Sequence, residues 1–276
     1  MKINSKINSY EVGDLVAENE TCNLYICTQE ESGRQCLLQI AKENSNNGDL
    51  DRSAFLLTEL ERYALEAEEE YMAVKEKPES MLNYQFGFPE LVESFIFDEQ
   101  DGRRVNILAF RNVPEVSKMV PLINITEKDG LRVDLRTSAW IVGKLLKLLV
   151  LVHSKNIAVR LLIGDNILIE PNQHYVLIFD WLAAQKFPGG IPDDICREEI
   201  SEAVQAIITV CGGDPETGIF LDSDEKGFEQ YVNHLQKLAL GSERSAQRAH
   251  ERHYEIVDGI WEHGFHPFTT HPLTPN

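Results

Sequence analysis

The sequence predicts an α+β protein in two parts, a small β-rich half over residues 1–112 and a larger, mainly helical half over residues 113–276. Short apolar runs separated by turn residues fill 10–42 and 91–110, the pattern of paired strands. From about residue 113 the texture changes, and apolar positions recur at helical spacing instead. Within that helical half two short β-like runs, NILIE and HYVLIFD, flank a polar turn. No internal repeat is evident.

In order along the chain, LYICTQE (24–30) and RQCLLQIAK (34–42) read as strands about the turn Ser32-Gly33. A helix follows from Phe55 to Lys75, because Phe55, Leu56, Leu60, Tyr63 and Ala67 recur at helical spacing; Pro78 and Ser80 end it. LVESFIFDEQDGRRVNILAF (91–110) is a hairpin with Asp101-Gly102 as its turn. PEVSKMVPLIN (114–124) is loop and short helix, and Thr137 to Ser154 is a long buried helix. NILIE (166–170) and HYVLIFD (174–180) pair about Pro171-Asn172-Gln173. The loop FPGGIPDD precedes a helix from Arg197 to Cys211, and helical segments lie around 226–239 and 243–262.

The 276 residues carry a net charge of −19, which repels phosphate backbones and argues against nucleic acid as a partner. Glu66, Glu68, Glu69 and Glu70 read as the solvated face of a helix. Cysteines stand at 22, 27, 36, 196 and 211, an odd number with no CxxC, so neither a zinc ribbon nor a disulfide framework is expected. A reducing, cytoplasmic setting fits. The opening MKINSKINSYEVG has no apolar run, so no signal peptide is expected. The most apolar stretch, Trp140 to Val152, is interrupted by Lys144 and Lys147 and is too short to span a bilayer, so no membrane role is expected.

The antiparallel hairpin brings Asn166 and Asp180 to its open end. An amide oxygen beside a carboxylate suits Mg²⁺ that keeps its waters and binds phosphates. The same pair also reads as a capped turn residue and a loop-initiating Asp. In order and spacing, residues 10–212 resemble a protein kinase. LVHSKNIAVRLLIGDNILI is similar to the catalytic-loop region, DWL (180–182) to the DFG triplet, and QIAK, ending at Lys42, to the VAIK strand. The resemblance implies a two-lobed fold: an N-lobe of a five-stranded sheet plus one helix over 1–112, and a helical C-lobe over 113–276. It implies that Lys42 contacts nucleotide phosphates and that Glu59 (with Glu61 and Glu66 as rivals) pairs with Lys42. It implies that Leu168 packs under the adenine, and that Asn166 and Asp180 ligate Mg²⁺. ATP and Mg²⁺ are the cofactors it implies.

The pattern also breaks. Val159 and Leu161 replace the His and the Asp of the HRD triplet, Ile163 replaces the phosphate-contacting Lys, and Leu182 replaces the DFG glycine. Leucine cannot accept a proton, and general-base help is worth about 10²–10⁴ in rate. Asp165 is a candidate substitute base, although its place at the strand entry points it elsewhere. AENETCN stands where the Gly-rich loop is expected, and Ile40 intrudes on the adenine roof. From Trp181 to Ile200 there is no Ser, Thr or Tyr, so phosphorylation cannot switch this loop; Asp193 and Asp194 read as a solvated acidic turn, or as partners of Arg160 that stand in for a phosphorylated loop.

The leading expectation is therefore a pseudokinase, a regulatory or scaffolding module with a protein partner, still able to bind ATP and Mg²⁺. The alternatives are an active, atypical phosphotransferase and a nucleotide-free interaction domain. Among other candidates, His250, His253, His263 and His266 form two HxxH pairs, but an intervening helix separates them, so surface and capping roles are expected over zinc. His153 reads as structural, and no cysteine has nucleophile spacing to a histidine.

Overall fold

A computed structural model of the protein describes residues 2–74, 81–220, 226–262 and 264–273. The chain is α+β and divides into two compact units, Met1–Met119 with Trp181–Ala183, and Val120–Asp180 with Ala184–Asn276. No helix among the described residues is long and apolar enough to cross a membrane.

The first unit contains β1 (Lys2–Asn4), β2 (Ser9–Glu18), β3 (Cys22–Gln29), β4 (Gln35–Ala41), α1 (Asn47–Val74), β5 (Glu90–Phe97) and β6 (Arg103–Ala109). The strands form one antiparallel sheet in the order β1-β2-β3-β4-β6-β5. It has six strands where five were expected. The extra edge strand exists because Ile3, fully buried, pairs with Tyr10 and joins the core. One face of the sheet buries Tyr10, Val12, Cys27, Cys36, Leu38, Ile40, Val105 and Ile107 together. Strand β4 is central and buried on both faces, so it reads as a continuous apolar run broken only by Gln39.

Helix α1 begins well before the expected Phe55. The side chain of Asn47 donates to Gly102 O (2.9 Å) and accepts from Arg104 N (2.7 Å), tying the helix start to the β5–β6 turn. The face that packs is Leu50, Ala54, Leu57, Leu60 and Ala64, at the spacing of one helical stripe. Phe55, expected in that stripe, is 57% exposed instead. Within this unit Asn106 Nδ2 donates to Leu50 O (2.9 Å), so a buried amide satisfies the backbone beside it. The expected helix end at Lys75, with Pro78 and Ser80, lies outside the described residues. Residues 113–119 stay with this unit because Val113, Val116 and Met119 are buried and Val116 N donates to Gln35 Oε1 (3.2 Å).

The second unit contains β7 (Val120–Pro121), α2 (Asn124–Glu127), β8 (Leu131–Val133), α3 (Leu135–Ser154), β9 (Ile157–Ala158), β10 (Ile167–Glu170), β11 (Tyr175–Ile178), β12 (Gln185–Lys186), α4 (Asp193–Val210), α5 (Phe228–Ala239), α6 (Ala246–Ile260) and β13 (Thr270–Pro272). Asp134 caps α3 by accepting from Thr137 N (2.6 Å), which starts the helix just before the expected Thr137. Ile141, Val142, Leu145, Leu146, Leu149 and Val152 bury its length, each contributing roughly 1.5–3 kcal/mol of transfer free energy. Strand β10 pairs with β11 (Ile167↔Ile178, Leu168↔Leu177) and with β7 (Leu168↔Pro121). Helix α4 starts at Asp193 rather than Arg197, after Pro192, with Asp193 and Asp194 in its first turn where negative charge meets the helix dipole.

Candidate functional site

The residues singled out by the resemblance fall in both units, and each group has its own geometry. In the first unit Lys42 follows β4 directly, and its backbone N–H donates to Thr21 O (2.9 Å). Its ammonium lies 3.7 Å from the Glu18 carboxylate, with the two side chains 35% and 65% exposed. Such a loose surface pair is worth about 0–1 kcal/mol.

Lys42 does not pair with Glu59. That carboxylate accepts from Arg62 Nη2 (3.0 Å) and from the Tyr63 hydroxyl (2.9 Å). The reason is helical phase: Glu59 lies two positions from Leu57 and so projects away from the stripe that packs on the sheet. The rival carboxylates are occupied as well, Glu61 by Arg111 and Glu66 by Arg62 (2.5 Å). Ile40 is 3% exposed and spends its side chain in the core of the sheet.

The turn that stands where a Gly-rich loop was expected is closed from within. Asn19 Oδ1 accepts from Thr21 N (2.9 Å) and Cys22 N (2.8 Å). In a Gly-rich loop such backbone donors face phosphate oxygens; here an Asn side chain takes both. Residues 181–183 also pack in this unit. Leu182 joins Cys22, Ala41 and Leu50 in a small core cluster, its carbonyl accepts from Arg52 Nη2 (2.6 Å), and Trp181 meets Phe88 edge-on at 6.3 Å.

In the second unit Asn166 and Asp180 meet at the open end of the β10–β11 hairpin. Asn166 is 5% exposed. Its Nδ2 donates to Leu161 O (2.8 Å) and Asp180 O (3.0 Å), and its Oδ1 accepts from Asp180 N (2.5 Å). An amide offers two donors and two acceptor sites. Both donors and one acceptor are spent on backbone, so Asn166 is a clip joining the loop to the strand end. Mg²⁺ demands several hard oxygens in near-octahedral array. An Asn oxygen already engaged by an N–H is a poor fit, and among the described residues no cluster of three or more His, Cys, Asp or Glu is placed to hold a metal. Leu168 is 8% exposed within β10. Asp165 and Ile163 are exposed.

The loop between β9 and β10 is anchored by α4. Arg160 adopts a left-handed backbone (φ 66°), costly for a residue with a Cβ. Its N–H donates to Glu199 Oε1 (2.6 Å), and the other Glu199 oxygen meets His153 Nε2 at 2.7 Å. Glu199 is fully buried. The Arg160 guanidinium pairs with Glu198 (2.9 Å), not with Asp193 or Asp194. Because α4 begins at Asp193, Glu198 lies more than a turn along it and reaches the loop, while Asp193 is taken by Arg244. Burial pushes the nearby Glu202 carboxyl above its usual range, against the opposing effect of a hydrogen bond from the Leu162 backbone. His153, read as structural, is largely buried against Glu199.

Glu199 and Asn19 are loop anchors that sequence reasoning missed. Glu199 had a signal: it precedes Ile200, Ala203, Val204 and Ile207, a charge set in an apolar helical stripe. Of the HxxH pairs, His253 is buried against Ala139 O (2.8 Å), His266 meets Asp134 Oδ2 (2.7 Å), and His263 lies outside the described residues. None of the five cysteines forms a disulfide. No family model matches the chain, and no curated protein matches it.

Proposed function

We propose that the protein is a degenerate, two-lobed kinase-like module that acts as a regulatory or scaffolding partner of another protein rather than by transferring phosphate. One observation carries this reading: the Asn166 amide is consumed by three backbone bonds at the position where the resemblance implies a metal ligand. Leu161 at the proton-acceptor position, the Asn19 turn and the Glu18–Lys42 pair support it. The reading favours a nucleotide-free state over ATP with Mg²⁺. Five cysteines with no disulfide among them support a reducing, cytoplasmic setting. Thermal shift with millimolar ATP, with and without Mg²⁺, tests it. A ligand that binds only the native state adds about 2.7 kcal/mol at a hundred times its Kd, whereas no shift is expected here. A shift that disappears in Asp180→Asn would replace this reading with a nucleotide-binding one. Radiolabel transfer lost in Lys42→Met would replace it with a transferase.

A further inference from the structure

Residues 264–273, GFHPFTTHPL, run along the second unit as an added strand. β13 pairs antiparallel with β8 (Thr270↔Val133, His271↔Arg132, Pro272↔Leu131). Asp134 N donates to Thr269 O (3.1 Å) and Leu273 N to Gly130 O (2.9 Å) at the two ends. Side chains add to the ladder. His266 Nε2 meets Asp134 Oδ2 at 2.7 Å, and Thr269 N donates to the Thr137 hydroxyl (3.1 Å). Phe265 stacks on His174 at 4.7 Å and 8°, His174 stacks on Trp140 at the same spacing, and Phe268 meets Trp140 edge-on at 6.5 Å.

The two sides of this contact differ in burial. Val133 and Thr137 are fully buried and Asp134 is 7% exposed. By contrast no described residue of 264–273 is buried, and Phe265 is 78% exposed. The segment is therefore held by edge hydrogen bonds and ring stacking, not by a core, which places it among the elements that open at low cost. β8 has no other strand partner among the described residues. Phe265 and His266 also form part of the wall of a cavity of about 240 Å³ whose other lining includes Trp140, Lys144 and His174.

We infer that β8, the start of α3 and the Trp140–His174 pair form a strand-accepting peptide groove, filled in cis by residues 264–273. Its partner in trans is an extended segment of the same chemistry, an aromatic residue followed by a histidine and then a second aromatic two residues further on. Recognition is by strand addition: main-chain bonds hold the segment, and the aromatic slot and the Asp134 carboxylate read its side chains. The tethered segment competes at an effective concentration on the order of millimolar, so an incoming peptide binds only when the segment is released. The inference uses the second unit alone and does not depend on the kinase-like reading; ATP leaves its test unmoved.

A protease recognition sequence inserted after Glu262 releases the segment in the otherwise full chain. The expected result is that the cut protein keeps its circular-dichroism spectrum and binds labelled GFHPFTTHPL, while the uncut protein does not. Trp140→Ala weakens that binding roughly tenfold, the upper range for an aromatic pair. A cut protein that stays folded but exchanges no peptide overturns the groove, and so does one that unfolds on cutting. Hydrogen exchange on the unmodified chain is a second measurement. The Asp134, Thr269 and Leu273 amides should exchange far faster than those of Ile141–Val152, and equal protection overturns the inference.

Discussion

Acid should unlock the α5–α6 region through two buried histidines. His253 is 1% exposed, with Nε2 at 2.8 Å from Ala139 O, so that nitrogen carries the proton of the neutral ring. Its Nδ1 is buried with no hydrogen-bond partner among the described residues. Protonating it puts a charge where nothing accepts the new donor. Burial holds His253 down at about 3, with its bond to Ala139 opposing and the neighbouring His234 and His250 adding. Burial, Arg252 and Lys237 hold His234 at about 4; its ring lies 5.5 Å from that of His253. The ordinary histidine value is near 6.5, so both groups bind protons more readily in the unfolded chain. Their contribution to stability is present above about pH 6.5 and is lost as pH falls from there toward the folded values. By pH 5 each costs about 2 kcal/mol relative to neutral pH. Urea denaturation at pH 7 and pH 5 measures this. In His253→Gln, whose amide can still donate to Ala139 O, the loss between the two pH values should shrink by about 2 kcal/mol. An unchanged loss in that variant would refute the reasoning, because the pH dependence would then come from other groups.

Two further substitutions test the loop architecture. Asn166→Ala removes three buried hydrogen bonds and should cost about 2–4 kcal/mol in urea denaturation; a cost below about 0.5 kcal/mol would mean that the clip is not structural. Glu199→Ala strands the Arg160 N–H and His153 Nε2 in the interior and should cost about 3–5 kcal/mol, whereas Glu198→Ala, which loses only an exposed pair, should cost under about 1 kcal/mol. Equal effects of the two would contradict the assignment of Glu199 as the anchor.

Much of the architecture is local, and so was legible. Alternation and turn residues mark β3, β4, β5, β6, β10 and β11, and helical spacing marks α3, since each pattern needs only one buried face to be meaningful. The β10–β11 pairing put Asn166 beside Asp180 because an antiparallel register is set by its turn. What the spacing did not reveal is where each polar group spends its bonds. The Asn166 amide faces backbone on two sides, and Glu59 turns away from the packed stripe because it lies two positions from Leu57 on the helix. Arg160 chooses Glu198 over Asp193 because α4 begins earlier than its apolar pattern suggests.

The amino-acid sequence by itself determined the α+β character, the division into a β-rich and a helical part, and the strands of the central hairpin. These follow from residue type and short-range periodicity. Only the tertiary structure decided that Ile3 adds a sixth strand, that Glu199 holds a left-handed Arg160, and that 264–273 lies on β8 as an exposed strand. Those outcomes join residues far apart in the chain, and they depend on which buried donor or acceptor would otherwise be left without a partner, a quantity that no local pattern contains.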